Sequence, residues 1–91
     1  MFEKTAKKGS YRFCLQAPAN GSKVSVAGDF SAWQPLPMRK QKNGSFASVV
    51  TLKPGTYEYK FIVNGEWLVD GDNSAYALNP YGTANSVAVA E

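Results

Sequence analysis

Histidine is absent from these 91 residues and cysteine occurs once. Without histidine, neither a Ser–His nor a Cys–His pair can activate a nucleophile. The single thiol, Cys14, excludes an internal disulfide framework and fits a reducing compartment, so a cytoplasmic location is expected. No apolar run approaches the ~20 residues of a membrane span. The opening "MFEKTAKKGS" has lysines but no apolar stretch after them, which is not a secretory-signal pattern. Charge of one sign is also scarce. The net charge is +3, and Lys4, Lys7 and Lys8 sit in the first nine residues, so the remainder is near neutral. A nucleic-acid interface would want a concentrated basic face, and neither nucleic acid nor membrane is expected as a partner.

Other chemistry fares no better. Asp70 and Asp72 are close in sequence, but they lie in a turn-rich run where Asp commonly bonds its own backbone, and they make a poor glycosidase pair. "DGDNSAYALNPY" opens like a calcium loop, yet Ala75 stands where the loop needs glycine and Tyr81 where it needs glutamate. Cys14 has no partner motif and reads as an inert strand thiol. The Asn-Gly-Ser sequences at Asn20 and Asn43 read as turns. With no phosphate loop and no metal cluster, catalytic residues, metal and cofactor are all expected to be absent.

What the chain does have is strands and turns. Hydrophobic residues make up 44%, enough for one small core. "YRFCLQA" alternates, with Tyr11, Phe13 and Leu15 on one face and Arg12, Cys14 and Gln16 on the other. "KVSVAG" repeats the pattern with Val24 and Val26. "DFSAWQPLP" reads as a loop, because prolines do not sit in central strands. "MRKQ" reads as a short edge strand before an Asn43-Gly44 turn. "SFASVVTL" and "TYEYKFIV" follow as strands, "DGDNSAYALNPYGT" as a long loop, and "NSVAVA" as a closing strand. No stretch of ten or more residues has helical periodicity. About seven short strands with regular turns predict an all-β, immunoglobulin-like β-sandwich. Residues 1–9 read as a flexible N-terminal arm and residues 10–91 as the domain.

"YKFIVNGEWLVD" carries the sharpest local signal. Asn64-Gly65 is a type I′ turn sequence, which predicts Val63 opposite Glu66, Ile62 opposite Trp67, Phe61 opposite Leu68 and Lys60 opposite Val69. Alternation then places Phe61 and Leu68 on one face, and Lys60, Ile62, Trp67 and Val69 on the other. A large aromatic diagonal to a cation is either core plus a stray charge or a binding platform. Trp33, in "GDFSAW" between a strand and two prolines, has the same two readings. "NPYGTANS" aligns Tyr81, Thr83 and Asn85 along one side if extended, and an Asn amide offers both donor and acceptor to adjacent hydroxyls. Indole faces with such a polar row suit a hydroxyl-rich sugar.

These residues resemble a family. "VSVAGDFSAWQPLPM", "GTYEYKFIVNGEWLVD" and "NPYGTANSVAV" are similar to the glycogen- and starch-binding modules of carbohydrate-binding family 48, in the same order from about Lys23 to Ala90. That family includes the domain in the beta subunit of AMP-activated protein kinase and the N-terminal modules of branching and debranching enzymes. The resemblance implies an early-set immunoglobulin-like β-sandwich that binds α-1,4-glucan without catalysis. It implies a carbohydrate site of Trp33, Lys60, Trp67, Tyr81, Thr83 and Asn85. Tyr81 stands where the kinase-type modules have leucine, and "SAW" replaces the more usual Asn or Asp before tryptophan. Glycogen-metabolising enzymes and kinase-type subunits are the protein partners the resemblance implies. The alternative reading is an interaction module of the same fold, whose exposed aromatics bury against a catalytic domain or other partner.

Overall fold

The computed structural model describes residues 2–16, 23–71, 73, 75–78 and 83–90. Among them the protein is all-β apart from one turn of 3-10 helix at Asp29–Ser31. The strands are β1 (Phe2–Lys4), β2 (Ser10–Leu15), β3 (Val24–Gly28), β4 (Leu36–Pro37), β5 (Arg39–Lys40), β6 (Phe46–Thr51), β7 (Gly55–Val63), β8 (Glu66–Leu68), β9 (Tyr76–Leu78) and β10 (Ala84–Ala90). They form two antiparallel sheets, ordered β1-β2-β6-β5 and β4-β3-β7-β10-β9, with β8 also on β7. The β-sandwich expected from the alternating segments is the fold observed.

Alternation explains the core. Tyr11 and Phe13 from β2, Val24 and Val26 from β3, and Tyr59, Phe61 and Val63 from β7 are all buried. Phe13, Val24, Val26, Met38, Phe46, Tyr59, Phe61, Val63 and Ala88 make one cluster between the sheets. Tyr11, Leu52 and Ala90 close a smaller one at the far end. The intervening residues of β7, namely Glu58, Lys60 and Ile62, are half-buried on the outer side.

Ten strands replace the expected seven or so, and the additions are all two or three residues long. A period of two cannot show itself over so short a span. Phe2–Lys4, in the segment read as an arm, pair with β2, and Phe2 stacks on Tyr11 with ring centroids 5.2 Å apart. "DFSAWQPLP" is not all loop. Pro37 belongs to β4, paired opposite Ser25 at the sheet edge, where a missing N–H is tolerated. β9 lies inside the run read as a long loop and pairs with β10. The stretch around Asn20 and the residues flanking Tyr81 fall outside the described residues. At Asn43 the side-chain oxygen accepts from the Ser45 N–H at 3.0 Å, which is the turn expected there.

Candidate glucan-binding site

β7 is the strand on which the candidate site is built, and its two edges are used differently. One edge pairs with β3 throughout Tyr59–Val63. The other pairs with β10 up to Tyr59 and with β8 from Phe61 onward. Lys60 therefore sits where β7 passes from one neighbour to the other. Its cross-strand partner on β3 is Ala27, which is fully buried and too small to crowd the outer face.

The Asn64-Gly65 turn forms with positive φ at both residues, 51° and 88°, as a type I′ turn requires. The register follows: Val63 faces Glu66, Ile62 faces Trp67 and Phe61 faces Leu68. Trp67 is accordingly on the outer face with Lys60 and is 47% exposed, whereas Phe61 is completely buried. Leu68 shares the inward side with Phe61 yet is 43% exposed, because β8 pairs only with β7 and lies at the rim.

Trp33 reaches the same face from a different element. β3 ends at Gly28, where an added Cβ would meet Glu58 O and the Phe30 ring at 2.5 Å. The absent side chain lets Phe30 fold inward against Phe13, with ring centroids 5.0 Å apart. The 3-10 turn then ends on Ala32 and Trp33, both left-handed at φ 53° and 63°. Such pairs are unusual for side-chain-bearing residues and persist only where several contacts fix them. Here the Trp33 N–H donates to Gly28 O at 2.9 Å, and Ser31 Oγ lies 2.9 Å from Gln34 O while accepting from the Gly28 N–H. The result brings Trp33 beside Trp67, with ring centroids 6.4 Å apart and planes inclined at 38°.

Asn85 arrives from β10. Val87 pairs with Glu58, so Asn85, two residues before Val87 on the same strand, shares the outer face with Glu58. Its Nδ2 donates to Glu58 Oε1 at 3.1 Å, which confirms the shared outer face. That bond leaves Oδ1 and the second amide proton for other partners. Thr83 is exposed just before β10 begins. Tyr81 lies outside the described residues. Of the expected site, Trp33, Lys60, Trp67 and Asn85 thus share one outer face, from three separated parts of the chain: the turn after β3, the β7–β8 hairpin and β10.

One neighbouring carboxyl group, that of Asp29, was not singled out from the sequence. Asp29 Oδ1 accepts the Trp33 indole N–H at 3.1 Å, and its Oδ2 accepts the Glu58 backbone N–H at 2.8 Å. The only sequence signal is an Asp four residues before a Trp, which means nothing without the left-handed turn between them. Asp70, weighed as a catalytic acid, is buried behind the site instead. It accepts from the Tyr59 hydroxyl at 2.7 Å, and its N–H donates to Ser86 Oγ at 2.7 Å. Asn73 Nδ2 donates to the same hydroxyl at 3.1 Å. Burial, followed by the Asp70 bond and opposed by Asn73, pushes the Tyr59 hydroxyl well above the ordinary tyrosine range. This network ties the residue two beyond β8 to β7 and β10.

Proteins similar to this chain are known by family, by sequence and by fold. The family profile for the glycogen recognition site of AMP-activated protein kinase matches residues 11–91. Protein PTST homolog 2, chloroplastic, of Arabidopsis thaliana is 44% identical over 54 residues, covering 58% of this chain and 10% of that protein. The 5'-AMP-activated protein kinase subunit beta-1 of Sus scrofa is 31% identical over 67 residues, covering 74% of this chain and 53% of that subunit. The chain thus spans about a tenth of the first relative and about half of the second. Among solved structures, a Salmonella typhimurium chain assigned as an alpha amylase superposes with a TM-score of 0.72 at 25% identity, covering 94% of this chain and 14% of that one. The chain belongs to the family described as the glycogen recognition site of AMP-activated protein kinase.

Proposed function

We propose that this protein is a non-catalytic α-glucan-binding module whose site comprises Trp33, Lys60, Trp67, Tyr81, Thr83 and Asn85. The observation that carries the reading is the pair of indoles inclined at 38°, with a lysine and a half-satisfied asparagine amide on the same outer face. Each indole offers a flat apolar surface for the C–H face of one glucose ring. Two surfaces inclined to each other follow a chain that curves, as α-1,4-linked glucose does. Lys60 and Asn85 supply donors and an acceptor at the ring edges, where the 2- and 3-hydroxyls lie, and Thr83 adds a hydroxyl. Nothing in this set is suited to cleave a glycosidic bond. The family membership supports the same ligand class.

The shallow site predicts modest affinity for a short oligomer, with Kd on the order of micromolar to millimolar. Titration with maltoheptaose, followed by tryptophan fluorescence, is expected to saturate in that range. Cellohexaose, a flat ribbon, is expected to leave the signal unchanged. Equal responses to the two sugars would overturn the assignment.

A further inference from the structure

We infer that Asp29 is a positioning residue of this site: its carboxylate locks the Trp33 indole to the backbone of β7 and so sets the ring's angle before any sugar arrives. The inference rests on the reading of Trp33 as a sugar contact. Trp33 lies in a turn rather than on a strand, so sheet pairing does not determine where its ring points. The only donor on an indole is Nε1–H, and it is directed at Asp29 Oδ1 at 3.1 Å. The second oxygen, Oδ2, takes the backbone N–H of Glu58 at 2.8 Å. That N–H lies just past the final β3–β7 pair, Gly28 with Tyr59, so the Asp29 side chain supplies an acceptor where β3 leaves the sheet.

The brace extends to the other side of the site. Glu58 Oε1 holds the Asn85 amide at 3.1 Å, and Lys60 is two residues along the same strand face. The aromatic ring, the amide and the cation are therefore all referenced to residues 58–60 of one strand. Two consequences follow. Trp33 presents only its ring face to a ligand, because its one donor is occupied. It also binds without giving up rotamer freedom at that moment, which is the benefit of preorganisation.

A double-mutant cycle tests this. Trp33→Phe keeps an aromatic face but has no N–H for Asp29 to hold. In the otherwise native protein, Asp29→Ala is expected to weaken maltoheptaose binding about tenfold, with a coupling typical of directly contacting groups. In the Trp33→Phe background the same change is expected to cost less than about twofold. Independently of sugar, the NMR signal of the Trp33 indole proton is expected to shift in Asp29→Ala and to exchange faster with solvent. Equal losses in the two backgrounds, or an unmoved indole signal, would overturn the inference. Asp29 is exposed, so the variant is expected to fold, which a thermal melt checks. If it does not, Asp29→Asn takes its place in the cycle, since the amide keeps one acceptor and loses the other. A native protein that fails to bind maltoheptaose sinks the glucan reading instead, and the indole signal still decides whether Asp29 holds the ring.

Discussion

Trp67 and Phe61 lie on the two arms of one hairpin, and alternation turns them to opposite faces. Phe61 is completely buried and Trp67 is 47% exposed. Trp67→Ala is therefore expected to leave the melting temperature nearly unchanged while reducing maltoheptaose affinity by ~2 kcal/mol, about thirtyfold. Phe61→Ala is expected to remove ~3–5 kcal/mol of stability, which leaves a domain of this size largely unfolded. Parallel melts and titrations of the two variants check the pair, and a Trp67→Ala melt as low as that of Phe61→Ala would return the tryptophan to the core. Tyr59 allows a pH test. Its hydroxyl is held above its ordinary range mainly by burial, so the folded state favours the neutral form. A folded-state pKa raised above the unfolded one contributes stability in full below the unfolded value, about 10, and loses it as pH rises beyond that. Tyr59→Phe is expected to start ~1–3 kcal/mol less stable, having withdrawn a donor from buried Asp70. It should then lose less stability than the native chain between about pH 8 and pH 11. Parallel slopes across that window would mean that Tyr59 is not the group responsible.

At the scale of elements, the short additions to the sheets do most to shape the molecule. β1 carries Phe2 onto Tyr11 and Phe13, with ring centroids at 5.2 and 4.9 Å. Half-burying such a ring is worth ~2 kcal/mol. Phe2→Ala is therefore expected to lower the melting temperature by about 10 °C, given the usual sensitivity of domains this small. An unchanged melt would restore the flexible arm read from the sequence. β8 and β10 divide one edge of β7 between them, and the Asp70–Tyr59–Asn73–Ser86 hydrogen bonds tie the segment after β8 to β7 and β10. The network thus fixes the spacing between the hairpin carrying Trp67 and the strand carrying Asn85.

For the molecule as a whole, the proposed site of two ring faces and a few polar groups, with an uncharged sugar as its ligand, would have little use for long-range electrostatics. Raising salt from about 50 to 500 mM is expected to change maltoheptaose affinity by less than about twofold, because screening acts on charges and no charge is neutralised on binding. Loss of binding across that range would point to an anionic ligand. Polymeric glycogen is expected to retain the protein more strongly than a short oligomer, since many equivalent chains permit rebinding. A sedimentation assay with glycogen measures that difference.

Local rules settled much of this protein before any coordinates. Asn64-Gly65 determined the turn, the turn determined the register, and the register alone placed Trp67 with Lys60 and opposite to Phe61. Alternation in β2, β3 and β7 likewise determined which residues form the core. All of that holds because neighbours along the chain are also neighbours in space. What only the tertiary structure decided is where separated segments meet. Trp33 is 34 residues before Trp67 in the sequence and 6.4 Å from it in the fold, because Gly28 lets Phe30 turn inward and two left-handed residues turn the indole out. β1, β4 and β9 exist because an edge of a neighbouring strand offered unpaired backbone groups, and three residues carry no pattern that could announce this. Asp29 depends on both effects: its carboxylate bridges an indole fixed by the turn and an N–H fixed by the sheet, a meeting that no spacing in the sequence encodes.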